Sequence, residues 1–190
     1  MNIWYTADQH FDHGAIIQYC DRPFPFEPGN VKDMLRAVMR MNKHIIEEHN
    51  KLVKPGDEVW HLGDFTMRGR DYKGVVKKRF VRKLNGTKHL IHGSHEKFTI
   101  PEYIDMGFTS VHSSYHQELL DIYLIHDPAA AIIRKDKLWL CGHVHDLFKT
   151  AEVGSGRIAG RNVINVGVDV WNFRPVHIDE IIKLGKELGF

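Results

Sequence analysis

The sequence is short of cysteine, of long apolar runs and of charge of one sign, and each shortage removes a class of protein. Two cysteines occur in 190 residues, Cys20 and Cys141, with no Cys-x-x-Cys pair. A disulfide between them stays open, but nothing points to an oxidising compartment. No apolar stretch approaches the roughly 20 residues that cross a bilayer, so no membrane is expected. The opening Met1 to Asp8 lacks a basic segment followed by an apolar one and reads as a first strand, not as a signal peptide. Cytoplasm is the default expectation. Lys and Arg number 26 against 24 Asp and Glu, a net charge of +2, so no global basic field argues for nucleic acid. One local basic stretch, Lys77-Lys78-Arg79 with Arg82-Lys83, reads first as a solvated helix face and second as a phosphate-tracking patch.

What remains is one ordinary soluble domain. At 190 residues the chain is long enough for a substantial core, and 43% hydrophobic with 26% charged residues excludes compositional disorder. Arg22 to Gly29 is a Pro-rich loop. Asn30 reads as the N-cap of a helix to about Asn50, because Val31, Met34, Leu35, Val38, Ile45 and Ile46 recur at near-helical spacing. Further helices are expected over Lys73–Leu84 and Asp179–Leu188. Short apolar runs read as buried strands: Ile3–Thr6, Glu58–Leu62, Lys88–Ile91, Leu119–Ile125, Leu138–Cys141 and Val163–Val166. Strands alternate with helices in the first half, which implies parallel pairing, whereas the second half implies a more mixed sheet. The class is α/β.

The excess is in histidine, 14 against 10 Phe and 6 Tyr. Five strands each run into a polar group: Asp8-Gln9-His10, Gly63-Asp64, Gly93-Ser94-His95-Glu96, His126-Asp127, and Gly142-His143-Val144-His145. In open α/β sheets the carboxyl edge is where ligands bind. The Asp-x-His and His-x-His pairs are expected to share one side of an extended segment, since strand side chains alternate. Carboxylate oxygen mixed with imidazole nitrogen suits Mn, Fe, Zn, Co or Ni. Asp8, His10, Asp64, His126, His143 and His145 exceed the three protein ligands typical of one catalytic zinc, so two metals sharing a bridging carboxylate are expected. His44, His49, His61, His89, His92, His112, His116 and His177 are expected as ordinary histidines with satisfied nitrogens.

In this order the motifs resemble those of the calcineurin-like metallophosphoesterases. The stretch Asn165 to Val176 and the opening Trp4 to Phe24 are similar to small bacterial and phage members of that superfamily. The resemblance implies a single domain of two stacked mixed β-sheets flanked by helices, with two divalent ions at one edge, Mn first among them. Asp8, His10 and His145 would hold one ion, His126 and His143 the other, and Asp64 would bridge. A metal-bound hydroxide would attack phosphorus, His95 would protonate the leaving group or stabilise the transition state, and Glu96 would orient or charge-tune that imidazole. Ser94 stands where the family has an Asn ligand, so a weaker second site is expected.

Arg68, Arg70 and Arg174 are candidate phosphate clamps, of which Arg68 and Arg174 enter the expected substrate site. The substrate is expected to be a small phosphoester, with nucleic acid as a further class, and the chain a monomer or homodimer. A phosphodiesterase on small nucleotide or nucleic-acid esters is the first reading. A phosphomonoesterase, a nuclease using Lys77 to Lys83, and a metal-binding scaffold weakened at Ser94 are the alternatives. A metallo-β-lactamase-type hydrolase is disfavoured, as its His-x-His-x-Asp-His run is absent.

Overall fold

Among the described residues, ten short strands and five α-helices follow one another, alternating in the first half only. The computed structural model describes residues 2–129, 136–151 and 162–190. Strand β1 (Ile3–Thr6) leads through α1 (Ala15–Tyr19) and α2 (Val31–Leu52) to β2 (Glu58–His61). Then come α3 (Lys73–Arg79), β3 (Thr87–Ile91), α4 (Ile100–Met106) and β4 (Ser110–His112). The second half runs β5 (Ser114–Gln117), β6 (Ile122–Ile125), β7 (Leu138–Cys141), β8 (Thr150–Ala151), β9 (Asn162–Asn165), β10 (Val176–His177) and α5 (Ile178–Glu187).

The strands form two five-stranded sheets, ordered β10-β1-β2-β3-β4 and β5-β6-β7-β9-β8. In the first, β1 to β4 are parallel and β10 is antiparallel. In the second, β6, β7 and β9 are parallel, with β5 and β8 antiparallel at the edges. The fold is thus the expected α/β sandwich of two mixed sheets flanked by helices. The chain alternation of β7 shows why the sheets stack: Leu138 and Leu140 join the core between the sheets, while Trp139 and Cys141 pack on the outer face. Tyr5, Trp60 and Leu62 of the first sheet meet Leu124 and Ile164 of the second in that inner core. The other face of the first sheet is covered by α2, α3 and α4 through Met41, Ile45, Val76 and Tyr103.

Element ends depart from expectation where local chemistry overrides pattern. Asn30 caps α2 as read, its side chain accepting from the Asp33 amide at 3.1 Å. The helix expected over Lys73–Leu84 stops at Arg79, breaks at Phe80 and resumes as a 3₁₀ turn over Val81–Lys83. Leu119 to Asp121, read as strand, form the β5–β6 turn, with Leu119 fully exposed. Helix α4 was not expected, although Thr99 and Glu102 form a capping box and Gly107 closes it at φ 118°. Both cysteines are free. Among the described residues no helix is long and apolar enough to cross a membrane.

Candidate metal centre

The loops that follow β1, β2, β3, β6 and β7 converge at one edge of the sandwich, because those strands are parallel neighbours within their sheets. Backbone bonds lock the first two loops together: Asp8 N–H donates to Gly63 O and His10 N–H to Asp64 O, each at 3.0 Å. Across the sheets, Gly142 sits so close that a Cβ there would lie 2.6 Å from Ala7 Cβ and 2.8 Å from Asp8 Oδ2. Only glycine lets the β7 loop approach the carboxylate of the β1 loop.

The ligand pairs are not presented by extended chain, as the two-residue spacing had suggested. Asp8, His10, Asp64, His143 and His145 all have φ between 47° and 72°, in the left-handed region. With Asp12 they make six of the ten non-glycine residues of positive φ among the described residues. Asp and His tolerate that region better than branched side chains, and such conformations cluster where surrounding structure over-determines them for function.

Three groups of ligand atoms result among the described residues; one is Cys20, His145 and Asp169, and the other two are made of the expected ligands. Those of Asp8, His10 and His145 lie within 4.8 Å of one another, and so do those of Asp64, His126 and His143. Asp64 Oδ2 stands between the groups, 3.6 Å from His10 Nε2 and 3.4 Å from His126 Nε2. His126 Nδ1 meets the Leu62 carbonyl at 2.7 Å, which makes Nδ1 the donor and turns Nε2 towards Asp64 and towards His143 Nδ1 at 3.3 Å; burial lowers the ring's pKa, but Asp64 and Asp8 outweigh it and raise it to about 9. His10 is 1% exposed, yet neither ring nitrogen has a hydrogen-bond partner. Burial, opposed by Asp64, drives its pKa down to about 2, so the ring is neutral and both nitrogens lack a proton acceptor or donor that would satisfy them.

The carboxylates are held in different ways. Asp8 is fully buried and burial raises its pKa to about 6, against the lowering pull of His126 and His145. Its two oxygens accept from the His143 amide at 3.1 and 2.9 Å. For Asp64, burial opposes ionisation, but His126, the His95 amide at 2.8 Å and His10 hold it well below the ordinary carboxylate range. Ser94 Oγ donates to Asp64 Oδ2 at 3.1 Å.

The remaining expected residues divide. His95 lines the same cavity as His10, His143 and His145, with Nε2 3.9 Å from Asp64 Oδ2 and a side chain 42% exposed. Glu96, expected to orient that imidazole, instead serves the β2 loop, accepting from the Phe65 amide at 3.1 Å. Burial, then the nearby Asp64, raise its pKa to about 7. Arg68 stays near the centre but donates to Asp12 at 2.9 Å and stacks over Tyr72. Arg174 does not line the cavity; both its terminal nitrogens go to Glu180, at 2.8 and 2.7 Å, so it is already committed. Arg70 faces Glu102 at 3.9 Å.

Three residues that matter here were not expected. His145 Nδ1 meets Asp169 Oδ2 at 2.9 Å, a carboxylate that fixes the ring in the manner of an outer partner of a metal ligand. Asp169 is held in turn by Arg22, through Nε at 2.7 Å and NH2 at 3.0 Å. The same guanidinium donates to the carbonyls of Asp8 and Gln9 at 2.8 and 3.1 Å, tying the β1 loop to His145. His13 joins the cavity wall, its ring 5.3 Å from that of His10. Of the ordinary histidines, His61 breaks its expectation: it is fully buried and neither nitrogen has a partner.

No family model matches the chain. It is 31% identical over 186 residues to the uncharacterized protein MJ1445 of Methanocaldococcus jannaschii, an alignment that covers 96% of this chain and 90% of that protein. The chain belongs to the family of MJ1445. A crystal structure of a protein of unknown function, AQ665 from Aquifex aeolicus, superposes with a TM-score of 0.62 at 23% identity, covering 96% of this chain and 98% of that one. That likeness supports the sandwich fold of the described residues. The His and Asp groups at its edge can hold metal ions.

Proposed function

We propose that the chain is a binuclear metal-dependent phosphoester hydrolase, acting first on phosphodiesters of small nucleotides or nucleic acid. The observation that carries this reading is Asp64 Oδ2, placed 3.6 Å from His10 Nε2 and 3.4 Å from His126 Nε2. A carboxylate oxygen between imidazoles of two separate ligand groups is what a bridging ligand requires. The unpartnered nitrogens of buried His10 favour a cation there, since buried polar atoms are otherwise paired. Two Asp and four His donors suit Mn first, with Fe, Zn, Co and Ni compatible.

Asp8, His10 and His145 would hold one ion, His126 and His143 the other, and Asp64 both. Two divalent ions bound there would acidify an attacking water and neutralise charge on the phosphoryl oxygens. The protein's own part is positioning. Leu62 O and Asp169 hold one nitrogen of each of the His126 and His145 rings, which leaves the other for an ion. His95, half-exposed on the wall of a cavity of about 420 Å³, can give a proton to the leaving oxygen as the P–O bond breaks. Tyr19 and Leu147, 76% and 80% exposed at the same cavity, offer apolar surface for a base or aryl leaving group.

The test is hydrolysis of an aryl phosphodiester and an aryl phosphomonoester with Mn²⁺, with chelator, and in His95→Ala. Metal-dependent turnover, lowered about 10²–10⁴-fold in the variant, is expected. No turnover of either ester would favour the second reading, a metal-binding scaffold, for which Ser94 speaks: its hydroxyl is spent on Asp64.

A further inference from the structure

We infer that the cleft between α2 and α3 is a phosphate-backbone groove whose partner is a polynucleotide strand. The catalytic consequence rests on the phosphoesterase reading, but the binding does not. The cleft measures about 470 Å³, and four cations line it against one acid: Arg40 and Lys43 from α2, Arg79 and Lys83 from α3 and the turn after it, and Glu47. In a chain of net charge +2 this is a local concentration, not a share of a general excess.

Folding accounts for only part of it: Arg40 donates to Pro25 O at 2.9 Å and Arg79 to Asp12 at 3.3 Å, whereas Lys43 meets only a solvated acid. Lys32, Arg36, Arg40 and Lys43 follow one another at spacings of four, four and three along α2, and all are exposed. Like charges at that spacing repel on one helix face, so the row costs helix stability. The Lys43–Glu47 pair, 3.6 Å apart with side chains 75% and 53% exposed, is a solvated contact that a phosphate can replace. Met39, 62% exposed, and Ile46 provide apolar surface between the cations, where sugars or bases can lie.

The cleft adjoins the metal centre through Asp12, two residues beyond His10. Its buried carboxylate takes Asn42 Nδ2 at 2.7 Å from the cleft, Arg79 NH1 at 3.3 Å from the cleft and Arg68 Nε at 2.9 Å from the centre's side. One carboxylate between two guanidiniums leaves a positive charge uncompensated along the path from groove to centre. A strand fits better than an anionic bilayer because the cations face one another across a concavity from two helices. A membrane needs them on one common outward plane.

The experiment is fluorescence anisotropy of the full chain with a labelled single strand of about 20 nucleotides, in chelator, at rising salt. We expect log affinity to fall against log salt with a slope of about −2.8, roughly 0.7 for each of four cations. Lys43→Ala with Lys83→Ala should weaken binding and flatten the slope by about 1.4, while leaving small aryl-diester hydrolysis unchanged. No strand binding at low salt, or binding and slope unaltered in the double variant, would overturn the groove. So would binding to phosphatidylglycerol vesicles in place of the strand. Strand binding of the expected slope without any ester hydrolysis would uphold the groove and count against the phosphoesterase reading alone.

Discussion

Replacing Asp169 by Asn removes a charge while keeping the side chain's size, and two separate effects follow. Arg22 and Asp169 are both buried, with side chains 0% and 3% exposed. Breaking a buried pair by removing one partner costs about 3–5 kcal/mol, because the other charge is left without compensation. Arg22 keeps the carbonyls of Asp8 and Gln9, so the lower end, about 3 kcal/mol of folding stability, applies. The second effect is on metal. Loss of the carboxylate that fixes His145 should weaken the ion at Asp8, His10 and His145 by about 10–100-fold, as outer partners of metal ligands do. The ion proposed at His126 and His143 is linked to that site only through Asp64 and should weaken far less. Urea unfolding of the metal-free protein measures the first effect, and calorimetric titration with Mn²⁺ resolves the second by site. Unchanged stability, or equal weakening of both ions, would refute the strut from Arg22 through Asp169 to His145.

Three further outcomes follow from single residues. Burial holds the His49 pKa down to about 4, against its bond to Asn85 O, and holds His61 well below its ordinary 6.5. The unfolded chain therefore takes up these protons first: stability present above pH 6.5 is lost as pH falls towards 4, by about 3 kcal/mol for His49. His61→Leu should lose less stability on acidification than the native chain in urea titrations at pH 7 and 4.5, and identical losses would count against it. A Cβ at Gly63, where φ is +90°, would lie 2.4 Å from His126 Nδ1; Gly63→Ala should cost more than about 1 kcal/mol and weaken the ion at His126 first, read by unfolding and metal titration. Ser94→Asn adds a carboxamide oxygen beside Asp64 and should tighten the second ion; equal affinity in both forms would remove Ser94 as the cause of a weak site.

The clustering of polar groups was legible in the sequence because each motif ends an apolar run, and parallel strands bring such ends to one edge. Ile3–Thr6 and Leu138–Cys141 match their strands end for end, being short apolar runs with a neighbouring turn. The break at Phe80 was not legible, because Val76, Phe80 and Leu84 continue an unbroken helical period through it. Helix α4 did leave a signal, Thr99 with Glu102, Pro101 and Gly107, but only Tyr103 and Met106 are buried, too few for a periodic stripe. The pairing of Arg22 with Asp169 spans 147 residues, and no local pattern encodes it. Nor does spacing alone reveal the left-handed backbone that presents the ligands, since Asp-x-His reads equally as extended chain.

The most direct test of the proposed binuclear centre is anomalous diffraction from crystals grown with Mn²⁺. The account predicts two peaks about 3.5–4 Å apart, one on either side of Asp64 Oδ2, the first within reach of Asp8, His10 and His145 and the second of His126 and His143. A single peak, or peaks away from Asp64 at saturating metal, would contradict it.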